Sequence, residues 1–174
     1  MDTGSTIIGA IILLACIAPF FLIYVSRKRK ESLKLQIIKG FAQQNNCEID
    51  DFEFDGDYTI AIDKNQNYIF FIKETKNGVI NQFVDLSEIH FCRSVVSTRK
   101  VQNGNKYYDV INRAELCFVP KDKFRSEVRF NLFTDDEDMQ IDNELQVAEK
   151  WSQIINNQIE VKAHSARGFI PPSC

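Results

Sequence analysis

The pattern of apolar and polar positions changes three times along the chain. Residues 6–25, TIIGAIILLACIAPFFLIYV, carry no charge over twenty positions. At about 1.5 Å per residue this run matches the roughly 30 Å hydrocarbon core of a bilayer, and it predicts a transmembrane helix. Pro19 is compatible with such a helix, because neighbouring groups in a membrane satisfy the freed carbonyl. From Glu31 to Gln44 the residues Leu33, Ile37 and Phe41 recur at every fourth position, which predicts an amphipathic linker helix stopped by Asn45-Asn46. From Asp57 to Thr134 the period shortens to two. The runs DYTIAID, YIFFIK, VINQFVDL, IHFCRSVVSTRKV, NKYYDVINRAELCFV and RSEVRFNLF predict a meander of six or seven antiparallel strands.

Turn residues divide these runs. Asn77-Gly78 and Asn103-Gly104 are dipeptides favoured in two-residue hairpins, since both residue types accept positive φ. Asp63-Lys64-Asn65-Gln66-Asn67 and Pro120-Lys121-Asp122-Lys123 supply two further turns. In the last run Val128, Phe130 and Leu132 alternate with Glu127, Arg129 and Asn131, which predicts one buried and one wet face. After the acidic loop, Leu145, Ala148, Trp151, Ile155 and Ile159 form the stripe of a helix lying on a sheet, from an N-cap at Asp142 to about Lys162.

Charge sets the expected orientation. Arg27, Lys28, Arg29 and Lys30 follow the apolar segment while only Asp2 precedes it, so the positive-inside rule places the N-terminus outside and the domain in the cytoplasm. The expected organisation is an extracytoplasmic N-terminus (1–5), a transmembrane helix (6–25), a basic juxtamembrane segment with the amphipathic helix (26–46), a folded domain (47–163) and a flexible tail (164–174). A cleaved signal peptide fits less well, because it needs its cations ahead of the apolar core. Leu13-Leu14-Ala15-Cys16 matches a bacterial lipoprotein box and leaves one alternative, an exported lipoprotein acylated at Cys16. Against it, apolar residues and then four cations follow Cys16 where a polar tether is expected.

Beyond residue 30 the chain carries 17 Lys+Arg against 23 Asp+Glu, and this acidity argues against nucleic acid as a partner. The five cysteines are widely spaced with no CxxC motif, which fits a reducing compartment.

Candidate chemistry is sparse. Asp63, Asn65, Asn67 and Glu74 match positions of a calcium loop, but Tyr68 stands where the sharp turn requires Gly. His90, Cys92 and Cys117 supply at most three zinc ligands. Asp85, Ser87 and His90 have the residue types of a nucleophilic triad, without the Gly-rich elbow around Ser87. These patterns point to no metal, no cofactor and no catalytic residue. The candidate partner surface is Tyr107 and Tyr108 on a strand, with the acidic run Asp135, Asp136, Glu137 and Asp138 as a docking surface for a basic partner. Self-association through Leu33, Ile37 and Phe41 of the linker helix is the expected route to a homo-oligomer.

A strand meander closed by one amphipathic helix with a central Trp resembles the pleckstrin-homology-like superfold, including its membrane-anchored bacterial versions. The residues that carry the resemblance are Val84-Asp85-Leu86-Ser87-Glu88-Ile89, like the turn into the fourth strand, and Ala148-Glu149-Lys150-Trp151, like the capping helix. It covers roughly residues 50–162 and implies an α+β β-roll or barrel that binds proteins, peptides or phosphoinositide headgroups without catalysis. The headgroup-binding members place several Lys and Arg on the first two strands and their loop. Here the matching positions hold Asp63, Lys64 and, further on, Lys73, a weak phosphate site. The expected function is therefore a membrane-anchored interaction or scaffolding module for a protein or peptide partner. Lipid-headgroup binding and an enzyme remain the alternatives.

Overall fold

Alternation of apolar and polar residues resolves into seven antiparallel strands in a meander: β1 (Asp51–Asp55), β2 (Tyr58–Asp63), β3 (Tyr68–Thr75), β4 (Gly78–Asp85), β5 (Ile89–Asn103), β6 (Lys106–Pro120) and β7 (Val128–Thr134). The structure, a computed structural model, describes residues 16–17, 28, 31–104, 106–136 and 143–167. It is α+β, with a four-stranded sheet in the order β1-β2-β3-β4, a three-stranded sheet in the order β5-β6-β7, and a C-terminal helix. Among the described residues no ladder joins the two sheets, and residues of both contribute to one shared core.

The chain divides into two compact units, Met1–Ile37 and Ile38–Cys174. In the first, the described residues are helical, and Leu33 and Ile37 are exposed. The second opens with α1, residues 38–44 of the helical stretch described over 31–44, whose buried residues are Ile38 and Ala42. The Phe41 ring meets Phe70 and Phe83 edge-on, at 5.6 and 6.1 Å, and this seats α1 on the face of the four-stranded sheet away from the core. Asn45 and Asn46 end the helix as expected. Asn46 takes φ 56°, the Cys47 amide donates to Ala42 O and the Asn46 amide to Gln43 O, the bonding pattern of a Schellman cap.

Helix α2 (Glu144–Arg167) lies on the other side, mainly against β5. Asn143 O accepts the first helical bond, from the Val147 amide, and so takes the N-cap role; Asp142 lies outside the described residues. Ala148, Trp151 and Ile155 enter the core, Ile159 packs against it and Leu145 is half-buried, as the stripe requires. The core between the sheets holds Phe71 stacked on Phe130 at 4.9 Å and Phe118 edge-on to Phe130 at 4.7 Å. Lys73 is also inside it, 1% exposed, with Nζ donating to Leu132 O of β7 at 3.0 Å and lying 3.6 Å from Asp57.

Several expectations change. Among the described residues no helix is long and apolar enough to cross a membrane, which overturns the transmembrane helix, the single-pass anchor and the placement of the domain at the cytoplasmic membrane face. A span needs about 20 apolar residues in succession; the described helix over 31–44 is too short and carries Glu31, Lys34 and Lys39, and helix α2, 24 residues long, is rich in charged and amide side chains. Of residues 6–25 only Cys16 and Ile17 are described; of the four cations only Lys28 is, and Arg27, Arg29 and Lys30 lie outside. Both expected Asn-Gly turns are shifted by one residue. The β3–β4 loop is Lys76-Asn77, with the Thr75 hydroxyl donating to Gly78 O and accepting from the Asn77 amide. Strand β5 includes Asn103, and Gly104 follows it at φ 64°. Helix α2 runs to Arg167, so residues 164–167, expected in the tail, are helical.

Candidate functional site

Surfaces that could take a partner are sheet edges, because an edge strand leaves every second residue's amide and carbonyl unused. Three of the four edges, β1, β5 and β4, differ in how far they are closed. The outer edge of β1 carries Asp51, Glu53 and Asp55 within five residues, and Glu53 is engaged by α2: its Oε2 accepts from Trp151 Nε1 at 2.6 Å and from Lys150 Nζ at 2.9 Å. Charges of this density discourage a further strand.

The edge of β5 beside α2 is closed differently. Asn156 Oδ1 accepts from the Cys92 amide and Asn156 Nδ2 donates to Cys92 O, both at 2.8 Å, so a side-chain amide stands where a neighbouring strand's peptide would. Replacing Asn156 with Leu is expected to cost about 1–3 kcal/mol, since a buried amide and carbonyl lose their partners. Urea unfolding reads the loss, and faster hydrogen exchange at the Cys92 amide locates it.

β4 is open. The Glu74 amide donates to Asp57 O, toward β2, so the even residues of β3 bond toward β2 and the odd ones toward β4. The register Lys73↔Ile80, Phe71↔Gln82, Ile69↔Val84 then leaves the amides and carbonyls of Val79, Asn81 and Phe83 pointing away from the sheet. No described residue bonds to them. Val79 is 59% and Phe83 48% exposed, and no residue from Gly78 to Val84 is charged. At the far end of the strand a groove of about 230 Å³ opens between the sheets, with an apolar lining of Phe83, Val84, Ile89, Phe118, Pro120 and Val128. Its rim is polar: Asp85, Glu88 and Arg125, with Arg125 paired to Glu88. The Asp85 carboxylate and then burial push the neighbouring Tyr68 phenol up.

The residues singled out from sequence fall elsewhere. Tyr107 and Tyr108 are exposed on the distal half of β6, where the β5–β6 hairpin continues beyond the last β6–β7 pair, Arg113↔Thr134. Asp135 pairs with Arg99 at 2.7 Å and its amide donates to Asn112 O, tying the base of this arm to the end of β7. Asp136 O accepts from Lys76 Nζ at 3.3 Å. Glu137 and Asp138 lie outside the described residues.

The Asp63 loop is a clamped turn. Asp63 Oδ1 accepts from the Asn65 and Gln66 amides, Oδ2 from the Glu48 amide, and Gln158 and Lys162 of α2 bond to the loop's carbonyls at Lys64 and Asn65. Asn67 takes φ 65° where the calcium pattern would continue. Cys92 is in the core, and burial first, then Cys117, push its thiol up to about 12. Cys117 faces the other side of the sheet and donates to Glu127. Asp85 Oδ1 accepts from the Ser87 amide as the cap of the 3-10 turn Leu86–Glu88, and the His90 ring meets Phe91. No group of three or more His, Cys, Asp and Glu among the described residues could hold a metal ion.

The open edge was not legible because pairing order across a sheet is not written in the strand itself. One signal was present: GVINQFV is an uncharged run in an acidic domain. In comparison with known proteins, the chain matches no family model, no curated protein and no solved structure.

Proposed function

We propose that this protein is an interaction module that binds a protein or peptide partner as an added strand along β4, with the partner's apolar side chains entering the adjoining groove. The observation that carries this is the set of outward amides and carbonyls at Val79, Asn81 and Phe83 beside an apolar groove. Backbone bonds supply affinity in such complexes and side-chain pockets supply selectivity. The pleckstrin-homology-like resemblance belongs to the same proposal, since it implies binding without catalysis. An edge next to the capping helix is a poorer place for a peptide, because Asn156 occupies it at Cys92.

Twelve-residue peptides displayed on phage and selected on the full-length protein test the reading. Asn81→Pro removes one outward amide without touching the β3–β4 ladder, so selected peptides should bind it about fivefold more weakly. Asn81→Ala keeps the amide and should bind as the wild type does. Equal binding to Asn81→Pro and wild type would overturn docking on this edge.

A further inference from the structure

Resting on the reading of β4 as a docking edge, we infer that the strand it takes up is β4 of a second copy of this chain. A strand pairs antiparallel with its own copy about a two-fold axis normal to the sheet. Opposite residues must then share a face, so the axis passes at a residue that meets itself. With the axis at Asn81, the outward-bonding residues fall opposite outward-bonding residues: Asn81 meets Asn81, and Val79 meets Phe83 twice. These are hydrogen-bonded pairs.

That register matches what is exposed. Val79 and Phe83 are the two large apolar residues on the outward face of β4, equally spaced about Asn81, and pairing covers each with the other. Ile80, exposed on the opposite face, meets Gln82. Any other centre leaves Val79 opposite something other than Phe83.

Charge is complementary as well. No acid meets an acid, because Asp85 falls opposite Asn77 of the second copy. Lys76 of that copy then arrives at the rim formed by Asp85 and Glu88, the acidic end of the groove. Within its own chain Lys76 makes a long surface contact to Asp136 O, at 3.3 Å, which leaves it able to turn. The contact would join two four-stranded sheets into one continuous sheet.

The position of Asn81 on the axis makes a sharp test, read by sedimentation velocity of the full-length protein over a concentration series. Wild type should sediment as a dimer. Asn81→Lys and Asn81→Asp each place like charges face to face and should self-associate about fivefold more weakly or worse. An equimolar mixture of the two should recover the dimer, because Lys then faces Asp. Unchanged self-association of Asn81→Lys, or no recovery on mixing, overturns the inference. A monomeric wild type whose selected peptides still weaken on Asn81→Pro overturns the second copy as partner and leaves strand docking standing. If neither self-association nor peptide binding responds to residue 81, both fall.

Discussion

Replacing Trp151 with Ala should destabilise the domain by about 3–5 kcal/mol, the cost of emptying a fully buried aromatic site. Trp151 does two things at once. Its ring fills the junction between α2 and the core formed by Tyr58, Ile60, Phe71 and their neighbours, and its Nε1 donates to Glu53 of β1, so it fastens the helix to the first strand. The same Glu53 oxygen accepts from Lys150 one position earlier on the helix. Trp151→Phe separates the roles: most of the ring volume stays and the hydrogen bond goes, and the loss should fall to about 1–2 kcal/mol. Against a total stability of roughly 5–15 kcal/mol, the Ala variant should show a much lower urea midpoint while Phe stays well folded. Equal losses in the two variants would mean that the bond to Glu53, and not the ring's volume, holds the helix.

The second large effect is expected at Lys73. Its stem is packed among apolar residues of the core and its ammonium group reaches Leu132 O on the facing sheet, with Asp57 at 3.6 Å. Lys73→Ala removes the stem, the donor and the charge beside Asp57, and should cost about 2–4 kcal/mol; Asp57 is one-third exposed, which tempers the loss of the charge. Lys73→Met restores the stem alone and should cost about 1–2 kcal/mol, chiefly for the Leu132 carbonyl left without its donor. Urea unfolding of both variants checks the order. If Met proves as costly as Ala, the ammonium contact and not the packing is what joins the two sheets there.

These two residues also mark where sequence reasoning reached its limit. The stripe Leu145, Ala148, Trp151, Ile155 and Ile159 announced its own buried face, because only one helix face is apolar over that span. The linker helix did not: Leu33, Leu35, Ile37, Ile38 and Phe41 make overlapping stripes, and the buried choice in the second unit is Ile38 and Ala42. Lys73 ends the apolar run YIFFIK and reads there as a solvated end, since nothing local reveals the carbonyl waiting on β7. Strand β1 escaped because DFEFD sets two Phe among three acids in only five residues, too short a run to stand out as alternation. The hairpins were visible through their Asn and Gly, yet off by one, because the Thr75 hydroxyl and not the dipeptide alone sets the β3–β4 turn. The candidate partner residues Tyr107 and Tyr108 are exposed as a surface requires, but they lie on the arm and not beside the groove.

The Asn156 clamp on Cys92 bears on how large an assembly built from this chain can grow. A subunit with two unlike open edges can stack head to tail without end, as fibres do. Here β1 is fenced by acids and β5 beside the helix is stopped by a side-chain amide that imitates a peptide. An edge that meets only its own kind uses itself up in the meeting. In the proposed dimer, contact through β4 closes at a pair, and the Asn156 side chain keeps β5 at Cys92 from taking up a further strand.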